Sequence, residues 1–459
     1  MDYVESLEWL LTLPDFERTG EFASRPDVEP MRALLAVLGD PHLARPTVHI
    51  AGSKGKGSTG AIVESILRAS GKRTGYYISP HLHRYNERIR IDGKPCEQQA
   101  FASAMTLARD AIAGVAANFP ARQFLAFDAL TAAAFVAFRE TEVDLQIVEV
   151  GLGGTLDSTN VFDATDVVIV TPISLEHTAV LGDTIAEIAT QKAGIITPGA
   201  TVIVAPQRES AIDVVRATAD DRGATVIETA KACQLARTSA SSEGQDFKMK
   251  TEHAAYAGRL SLTGRHQLDN AATAILACEA LAACAGFELT PQHVRTALAD
   301  LTWPGRLEVL KRRPYVIIDG AHNGDSAKRM VAALREHFGL SHATFVFGTL
   351  AGKDVAAMAA AVAEIADDVF VTGWVSARAA DPRELAEAFR PYEAPVQTFS
   401  SLPDAYEAAV ASAGERGAVV AFGAIAFVAA LREYLLGIES DMIMLSMKQG
   451  RPPLGQAPG

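Results

Sequence analysis

Short apolar runs alternate through most of this chain with longer stretches whose apolar residues recur every three or four positions. The short runs are rich in β-branched residues and predict buried strands, and the periodic stretches between them predict helices. The predicted strands of the first series are residues 47–50, 74–78, 145–150, 167–171, 201–205 and 225–227. Strands that alternate with helices in this way predict an α/β fold with a mostly parallel, doubly wound sheet.

The pattern changes twice along the chain. Polar segments with short alternating stretches between residues 230 and 262 predict a small antiparallel patch. A second series of strands and helices starts near residue 305 and predicts a smaller α/β, Rossmann-like domain. We therefore predict domains at residues 1–304 and 305–437. The Gly-, Pro- and Gln-rich end predicts a disordered tail over residues 438–459.

Composition narrows the function classes. The 459 residues are 49% hydrophobic and 21% charged, as in ordinary globular proteins, and the net charge of −13 argues against nucleic acid or an anionic membrane as partner. The N-terminus is acidic, and no apolar run approaches the roughly 18 to 20 residues of a membrane helix. Cys96, Cys233, Cys278 and Cys284 lack metal-site spacing, which predicts reduced thiols and a cytoplasmic location.

A glycine-rich loop between the first strand and the next helix carries the clearest chemical signal. The glycines at positions 52, 55 and 57 allow the backbone to wrap an anion, and the helix N-terminus adds its positive dipole. Lys56 and Ser58 add an ammonium group and a hydroxyl that suits Mg²⁺. These parts predict a nucleotide-phosphate cradle, a variant P-loop with Ile50 at the usual first glycine. The alternative is a glycine-rich turn with a solvated lysine.

Four further residues are candidates because they stand at the ends of predicted strands or helices near this loop. Glu149 and Ser79 stand at strand ends and, with Ser58, supply the hard oxygen ligands that Mg²⁺ prefers. His177 is either a further metal ligand or a hydrogen-bond donor to phosphate. From the residues alone, Lys192 at a helix end complements the helix dipole.

Seven ordered blocks resemble the folylpolyglutamate synthase and dihydrofolate synthase family, which belongs to the Mur ligases. The likeness extends over about residues 3 to 435. The blocks are residues 52–58, 79–82 with 87–89, 149–154, 191–195, 264–267 with 270–271, 303–308 and 319–323.

The resemblance implies an ATP-dependent amide ligase that adds glutamate to dihydropteroate, to reduced folates or to both, through an acyl phosphate. It implies that Lys192 is carbamylated and that His322 serves the incoming amino acid. The implied catalytic residues are Lys56, Lys192, His177 and His322. The implied ATP contacts are Gly52, Gly55, Lys56, Gly57, Ser58, Asn270, Arg306 and Asp319. The implied Mg²⁺ ligands are Ser58, Ser79, Glu149, His177 and Lys192. The implied acceptor contacts are Phe127, Asp128, Leu156, Asp157 and Ser158.

Some positions depart from the family pattern, chiefly on the acceptor side. Thr155 stands where an arginine usually follows the paired glycines, Asp128 replaces a glutamate, and Ser53 and Lys54 replace the commoner threonine and asparagine. The alternatives are a Mur-type ligase that uses another carboxylate, a nucleotide-binding regulatory protein without ligase activity, and a P-loop kinase. The expected partners are small molecules, without nucleic acid or membrane, and we expect a monomer.

Overall fold

The structure, a computed structural model, describes residues 1–20, 27–392 and 394–448. Its first part, up to residue 304, combines helices with two sheets. The helices are α1 (Tyr3–Thr12), α2 (Phe16–Thr19), α3 (Glu29–Val37), α4 (Lys56–Ala69), α5 (Gln98–Val115), α6 (Ala126–Glu140), α7 (Thr178–Leu181), α8 (Ile185–Ala193), α9 (Glu209–Asp221), α10 (Thr229–Ala232), α11 (Arg265–Ala285) and α12 (Pro291–Ala299). The strands are β1 (Thr47–Ala51), β2 (Thr74–Tyr77), β3 (Ile89–Ile91), β4 (Lys94–Pro95), β5 (Leu145–Glu149), β6 (Val167–Val170), β7 (Thr201–Val204), β8 (Thr225–Glu228), β9 (Gln234–Ser241), β10 (Gly244–Lys250) and β11 (Ala255–Leu260).

The larger sheet has eight strands in the order β4-β3-β2-β5-β1-β6-β7-β8. The six neighbouring strands β2, β5, β1, β6, β7 and β8 are parallel to one another. At the other edge, β3 and β4 pair antiparallel. β1 is central, with Ile50 beside Glu149 of β5 and Ala51 beside Val170 of β6. The carboxyl ends of these strands therefore meet at one sheet edge, where open α/β sheets bind ligands.

The three antiparallel strands β9, β10 and β11 form a separate sheet, as predicted for the polar region. Its inner side chains Phe247, Met249 and Tyr256 join the same apolar core as α4 and α11. The patch is therefore anchored to the helix that follows the glycine loop.

The second part of the chain builds a six-stranded sheet in the order β12-β13-β17-β14-β15-β16. Its edge strand β12 is antiparallel and the other pairs are parallel, so the predicted α/β class is confirmed for both large sheets. The strands are β12 (Glu308–Arg312), β13 (Tyr315–Asp319), β14 (Ala343–Phe347), β15 (Ala366–Thr372), β16 (Val396–Phe399) and β17 (Ala418–Phe422). The helices are α13 (Gly324–Phe338), α14 (Val355–Ala363), α15 (Pro382–Glu387), α16 (Leu402–Ala413), α17 (Ile425–Leu436) and α18 (Asp441–Lys448).

The predicted disordered tail is wrong for residues 441–448, which form α18. Asp441 is buried, and one of its carboxylate oxygens accepts hydrogen bonds from the Tyr3 hydroxyl at 2.9 Å and the Tyr85 amide at 2.7 Å. Leu445 joins the core around α1 and α5. The end of the chain thus returns to its beginning; residues 449–459 lie outside the described part.

Two helical segments, Gln98–Asn118 and Arg265–Ala285, are long and apolar enough to span a membrane by length and composition alone, so the prediction of no such stretch is wrong. In the structure, 44% and 67% of these segments are buried inside the protein. Phe101 and Met105 of α5 pack in the core with α6, and α11 packs on α4. Both helices therefore act as core helices.

Candidate active site

The glycine loop adopts a conformation that side chains would prevent. Gly52 and Gly55 have positive φ angles of 147° and 85°. A Cβ atom on Gly52 would overlap the Thr171 hydroxyl, and one on Gly55 would lie 2.7 Å from Oδ1 of Asn270. The amides of Ser53 and Lys54 donate to the Pro172 carbonyl at 3.1 Å, which fixes the loop on the segment after β6. The free amides of the first turn of α4 then form the cradle for an anion.

Lys56 and Glu149 meet inside this cradle. The Lys56 ammonium donates to the Gly52 carbonyl at 3.2 Å and lies 3.8 Å from a Glu149 carboxylate oxygen. Burial raises the pKa of Glu149 to about 7, although the positive charges of Lys56 and Arg306 oppose the shift. The Tyr76 hydroxyl lies 3.4 Å from Glu149 and donates to the Gly57 carbonyl at 3.1 Å. Glu149 is therefore a buried carboxylate that additional positive charge would ionise.

Residues of α11 complete the wall of the cradle beside Ser58. The Gln267 amide donates to the Ser58 hydroxyl at 3.4 Å, and Asn270 donates to Gln267 at 2.9 Å. The structure therefore places the predicted nucleotide contact Asn270 against the glycine loop. Ser79 lies half-buried just beyond β2.

Lys192 is buried and reaches the same loop from the end of α8. Its ammonium donates to the Gly52 carbonyl at 2.9 Å and lies 3.2 Å from a Glu176 oxygen. Burial lowers the pKa of Lys192 to about 8. Burial raises the pKa of Glu176, but the nearby charges of Lys192 and Lys56 bring it below its ordinary value. Lys192 therefore binds the backbone of the glycine loop, in addition to any interaction with the helix dipole.

His177 lies on the rim of this group. It adopts a left-handed conformation with φ of 47°, directly before α7, and its ring centroid is 6.2 Å from that of Phe16. Within the part of the chain that the structure describes, no group of three or more His, Cys, Asp or Glu side chains converges as a metal site. The predicted Mg²⁺ ligands include only two side chains of these types, Glu149 and His177, with Ser58, Ser79 and Lys192 as the others, and this ligand set stays a prediction.

The second part of the chain contributes Arg306 before β12, Asp319 at the end of β13 and His322 in the loop after β13. Both Asp319 oxygens accept backbone amides, from Leu307 at 2.9 Å and Ala321 at 2.8 Å, and burial raises the pKa of this carboxyl group. Nδ1 of His322 lies 2.9 Å from the Gly320 carbonyl, which assigns the proton to Nδ1. Because burial lowers the pKa of His322 to about 4, its ring is neutral and Nε2 is a hydrogen-bond acceptor.

The predicted acceptor contacts form a second cluster. Asp128 is fully buried and accepts hydrogen bonds from Ser158 at 2.6 Å and from Arg122 at 3.0 Å. Asp157 accepts the Leu152 amide at 2.9 Å, and burial raises the pKa of its carboxyl group. The hydrogen bonds of these carboxylates are thus made within the protein, and they stabilise the conformation of the loop after β5.

Phe127 and Leu156 differ from the other three acceptor candidates. Phe127 is half-buried and packs beside Tyr77, with ring centroids 5.7 Å apart. Leu156 is 42% exposed and lines a cavity of about 560 Å³. The other lining residues are Asp27, Asn118, Phe119, Pro120, Ala121 and Arg122.

A smaller cavity of about 250 Å³ lies between α11 and α13, next to the glycine loop. Asn270 and His266 line it from α11, Arg329 and Glu336 line it from α13, and Pro172 lies at the end nearest the loop. The structure thus joins an anion cradle to a polar cavity bounded by both parts of the chain.

Sequence reasoning missed several residues of these sites. Tyr76 and Gln267 touch Glu149 and Ser58, and Arg122 pairs with Asp128. Gln267 stands in a recognised block, so its place three residues before Asn270 on one helix was a usable signal. Tyr76 and Arg122 gave no signal because their roles depend on contacts across the fold.

Known proteins resemble this chain over most of its length. Residues 98–278 match the Mur ligase middle domain, and residues 305–425 match the Mur ligase, glutamate ligase domain. The dihydrofolate synthase/folylpolyglutamate synthase of Bacillus subtilis is 32% identical over 418 residues, which cover 90% of this chain and 96% of the relative. The chain belongs to the folylpolyglutamate synthase and dihydrofolate synthase family of Mur ligases.

Solved structures of this family have the same fold. Mycobacterium tuberculosis folylpolyglutamate synthase complexed with ADP and AMPPCP superposes with a TM-score of 0.86 at 32% identity, covering 95% of this chain and 99% of that one. Escherichia coli FolC in complex with DHPP and ADP gives 0.83 at 28% identity, covering 95% and 98%. The predicted family, fold and enzyme class, an ATP-dependent ligase of the folylpolyglutamate synthase type, are confirmed.

Proposed function

We propose that this ligase joins the amine of L-glutamate to a carboxylate of a pteroate or folate acceptor, with ATP converted to ADP and phosphate. The observation that carries the proposal is the convergence of Lys56, Lys192 and Glu149 on one glycine loop. Relatives named dihydrofolate synthase/folylpolyglutamate synthase and folylpolyglutamate synthase support the choice of these substrates.

The nucleotide fits the cradle and the neighbouring cavity. The loop amides and Lys56 would bind the β- and γ-phosphates, because a helix N-terminus and an ammonium group both favour negative charge. The base and ribose would occupy the 250 Å³ cavity beside Asn270. Arg306 and Asp319 would contact the nucleotide from the second part of the chain, as the family resemblance implies.

Mg²⁺ would be held by Ser58, Ser79 and Glu149 together with phosphate oxygens. The donors suit this ion, because Mg²⁺ prefers a few protein oxygens and completes its shell with water and phosphate. The raised pKa of Glu149 fits a carboxyl group whose charge is stabilised when a cation binds. When bound, Mg²⁺ would offset the charge on the transferring phosphate.

The reaction would proceed in two steps. A carboxylate oxygen of the acceptor attacks the γ-phosphorus while the bond to the β-phosphate oxygen breaks, which gives an acyl phosphate and ADP. The glutamate amine then attacks the acyl carbon, phosphate leaves, and the amine proton is released. Lys56 stabilises the charge that develops on phosphate in the first step. His322, a neutral ring in the loop after β13, would help position the amine.

The acceptor would bind in the 560 Å³ cavity that Leu156 lines. Phe119, Pro120 and Leu156 provide apolar walls and Arg122 provides a polar edge, a combination typical of small-molecule sites. The loop carrying Leu156 touches the end of α8, because the Thr155 hydroxyl donates to the Gln191 carbonyl at 3.1 Å. Asp128, Asp157 and Ser158 would shape this wall from within.

We also propose a carbamate on Lys192. With a pKa of about 8, a substantial fraction of its amine is neutral at physiological pH and can add to CO₂ with release of a proton. In the structure its two partners, the Gly52 carbonyl and Glu176, both accept hydrogen bonds and suit the ammonium form. A carbamate there needs a cation beside it to offset the repulsion from Glu176.

The division of labour between the two parts of the chain fits this chemistry. Residues 1–304 would bind the nucleotide phosphates and the acceptor, and residues 305–437 would bring His322 and the amino acid over them. Closure would keep water from the acyl phosphate. We further propose a cytoplasmic monomer whose partners are small molecules, without nucleic acid or membrane.

The test is a substrate panel on the purified chain. ADP and phosphate should be released only when an acid and an amine are both present. The acids are dihydropteroate, tetrahydrofolate and, as a non-folate carboxylate, succinate, and the amines are glutamate, aspartate and glutamine. A product with one added glutamate, identified by mass, supports the proposal. Turnover with another carboxylate would indicate a different Mur-type ligase, a stable phosphorylated product would indicate a kinase, and tight ATP binding without turnover would indicate a regulatory protein.

A further inference from the structure

An ion pair joins the glycine loop directly to the second part of the chain. The ammonium group of Lys54 contacts a carboxylate oxygen of Asp325, which lies in the first turn of α13. Arg329, one turn further along α13, lies 3.4 Å from the same oxygen. The Lys54 side chain is only 13% exposed, so its charge is directed at this partner rather than at solvent.

Each end of this pair belongs to a rigid segment of the site. The Lys54 amide donates to the Pro172 carbonyl at 3.1 Å, and the loop passes on to Lys56 two residues later. Asp325 follows the block that contains His322. The Ser326 hydroxyl accepts the His322 amide at 3.1 Å, and Asn323 caps the Ser326 amide at 2.9 Å. A shift of Asp325 would therefore move the His322 block with it.

The pair also contacts two residues that line the proposed nucleotide cavity. Pro172, which holds Lys54, and Arg329, which shares Asp325, both line the 250 Å³ space between α11 and α13. Opposite charges on the two sides thus bring the walls of this cavity together. The Asp325 side chain is 55% exposed, so this ion pair is not part of a buried hydrogen-bond network that the fold depends on.

We propose that Lys54 and Asp325 are a positioning pair that holds the Asp319–His322 segment against the glycine loop when nucleotide is bound. This role rests on the proposed function only in taking the loop as the nucleotide site. Lys54 acts through Asp325, and the phosphates remain with Lys56 and the loop amides. The pair contributes to the closed arrangement that both nucleotide binding and amide formation need.

The test is a double-mutant cycle with Lys54→Gln, Asp325→Asn and the double variant. Affinity for β,γ-methylene-ATP is measured by titration calorimetry without acceptor or glutamate, and kcat and thermal stability are measured alongside. Each single change should weaken nucleotide binding about fivefold, the size of one partly exposed ion pair, and the double variant should be no weaker than either single variant. The midpoint of thermal unfolding should stay the same, since the pair lies outside the cores.

A matched control uses another ion pair between the two parts of the chain, Arg312 on β12 with Glu243 in the turn between β9 and β10, both more than half exposed. Arg312→Gln and Glu243→Gln should leave nucleotide affinity unchanged. Additive losses in the Lys54 and Asp325 cycle, or a loss with Lys54→Gln alone, would mean that Lys54 contacts phosphate directly and would overturn the inference. Unchanged affinity in all three variants would overturn it too, while leaving the ligase function intact. A wild-type chain that binds no nucleotide would overturn both.

Discussion

At the scale of single residues, two lysines share one carbonyl group but differ in their surroundings. Lys56 and Lys192 both donate to the Gly52 carbonyl, yet only Lys192 is nearly sealed from solvent. The glycine spacing predicted the location of Lys56. The position of Lys192 at a helix end was also predictable, but its contact with a loop 140 residues away was not. The local sequence pattern predicts the helix or strand on which a residue lies. The contacts of its side chain depend on segments that are distant in the sequence.

Lys192→Ala should lower kcat about 100-fold, because removing one charge-stabilising group from an active site typically costs this much. If a carbamate forms there, acetate or formate should restore part of the lost activity by filling the vacated space with a carboxylate. Steady-state rates of ADP release, with and without 50 to 200 mM acetate as a rough range, measure both effects. Lys231→Ala, at a lysine that is 68% exposed, is the control. Full activity of Lys192→Ala would reject a catalytic role.

Glu149→Gln should change how the stability of the free protein depends on pH. The pKa of Glu149 is about 7 in the folded state and near 4.5 in the unfolded chain. Between these values the folded state binds more protons, so the contribution of this group to stability falls as pH rises. By pH 8 the loss is about 3 kcal/mol. Glutamine does not titrate, so the stability of the variant relative to wild type should increase from pH 5 to pH 8.

Urea unfolding at pH 5 and pH 8, without nucleotide or divalent cations, measures this difference for Glu149. Glu252→Gln, at an exposed position, should follow the wild-type pH dependence and serves as the control. Parallel curves for wild type and Glu149→Gln would show that burial does not raise the pKa of this group. Added Mg²⁺ and nucleotide should reduce the difference, because positive charge favours the ionised carboxylate.

At the scale of elements, apolar periodicity identified the buried parallel strands and the edge strand β8, but it missed β3, β4, β12 and β16. β12 and β16 are edge strands with half-exposed residues, and β3 and β4 are only a few residues long. Edge strands bury one face or less, so their sequences lack the continuous apolar run of a central strand. α18 was missed because the Gly- and Pro-rich composition after it dominated the interpretation of the whole C-terminal stretch.

The docking of α18 predicts a measurable contribution of Asp441 to stability. Asp441→Ala should lower the free energy of unfolding by about 2 kcal/mol, because it leaves the buried Tyr85 amide without its acceptor and the Tyr3 hydroxyl with only Asn86, 3.4 Å away. Urea denaturation measures the effect. Tyr3→Phe should cost about 1 kcal/mol, and less in the Asp441→Ala background, because the two changes remove one interaction. Glu439→Ala at an exposed position is the control, and equal stability of Asp441→Ala and wild type would contradict the docking.

At the scale of the whole molecule, the site is built from segments that are far apart in the chain. The glycine loop, the end of β5, α8, α11 and the start of α13 meet through side-chain contacts that join the two parts of the chain. Motif spacing identified most of these segments, since each follows a strand or begins a helix. The pairing of Lys54 with Asp325 and the internal use of Asp128 could not be predicted, because both depend on how the segments pack.

Nucleotide should therefore stabilise the folded chain through the glycine loop. At a concentration 100 times its Kd, β,γ-methylene-ATP should add about 2.7 kcal/mol to the free energy of unfolding and raise Tm. Lys56→Ala should lose most of this gain, since its ammonium lies in the cradle. Lys94→Ala, at an exposed lysine on the sheet edge, should keep it. Thermal scans over a range of nucleotide concentrations measure the shift. An equal shift in Lys56→Ala and wild type would place the triphosphate elsewhere, and the mechanism built on this loop would then be wrong.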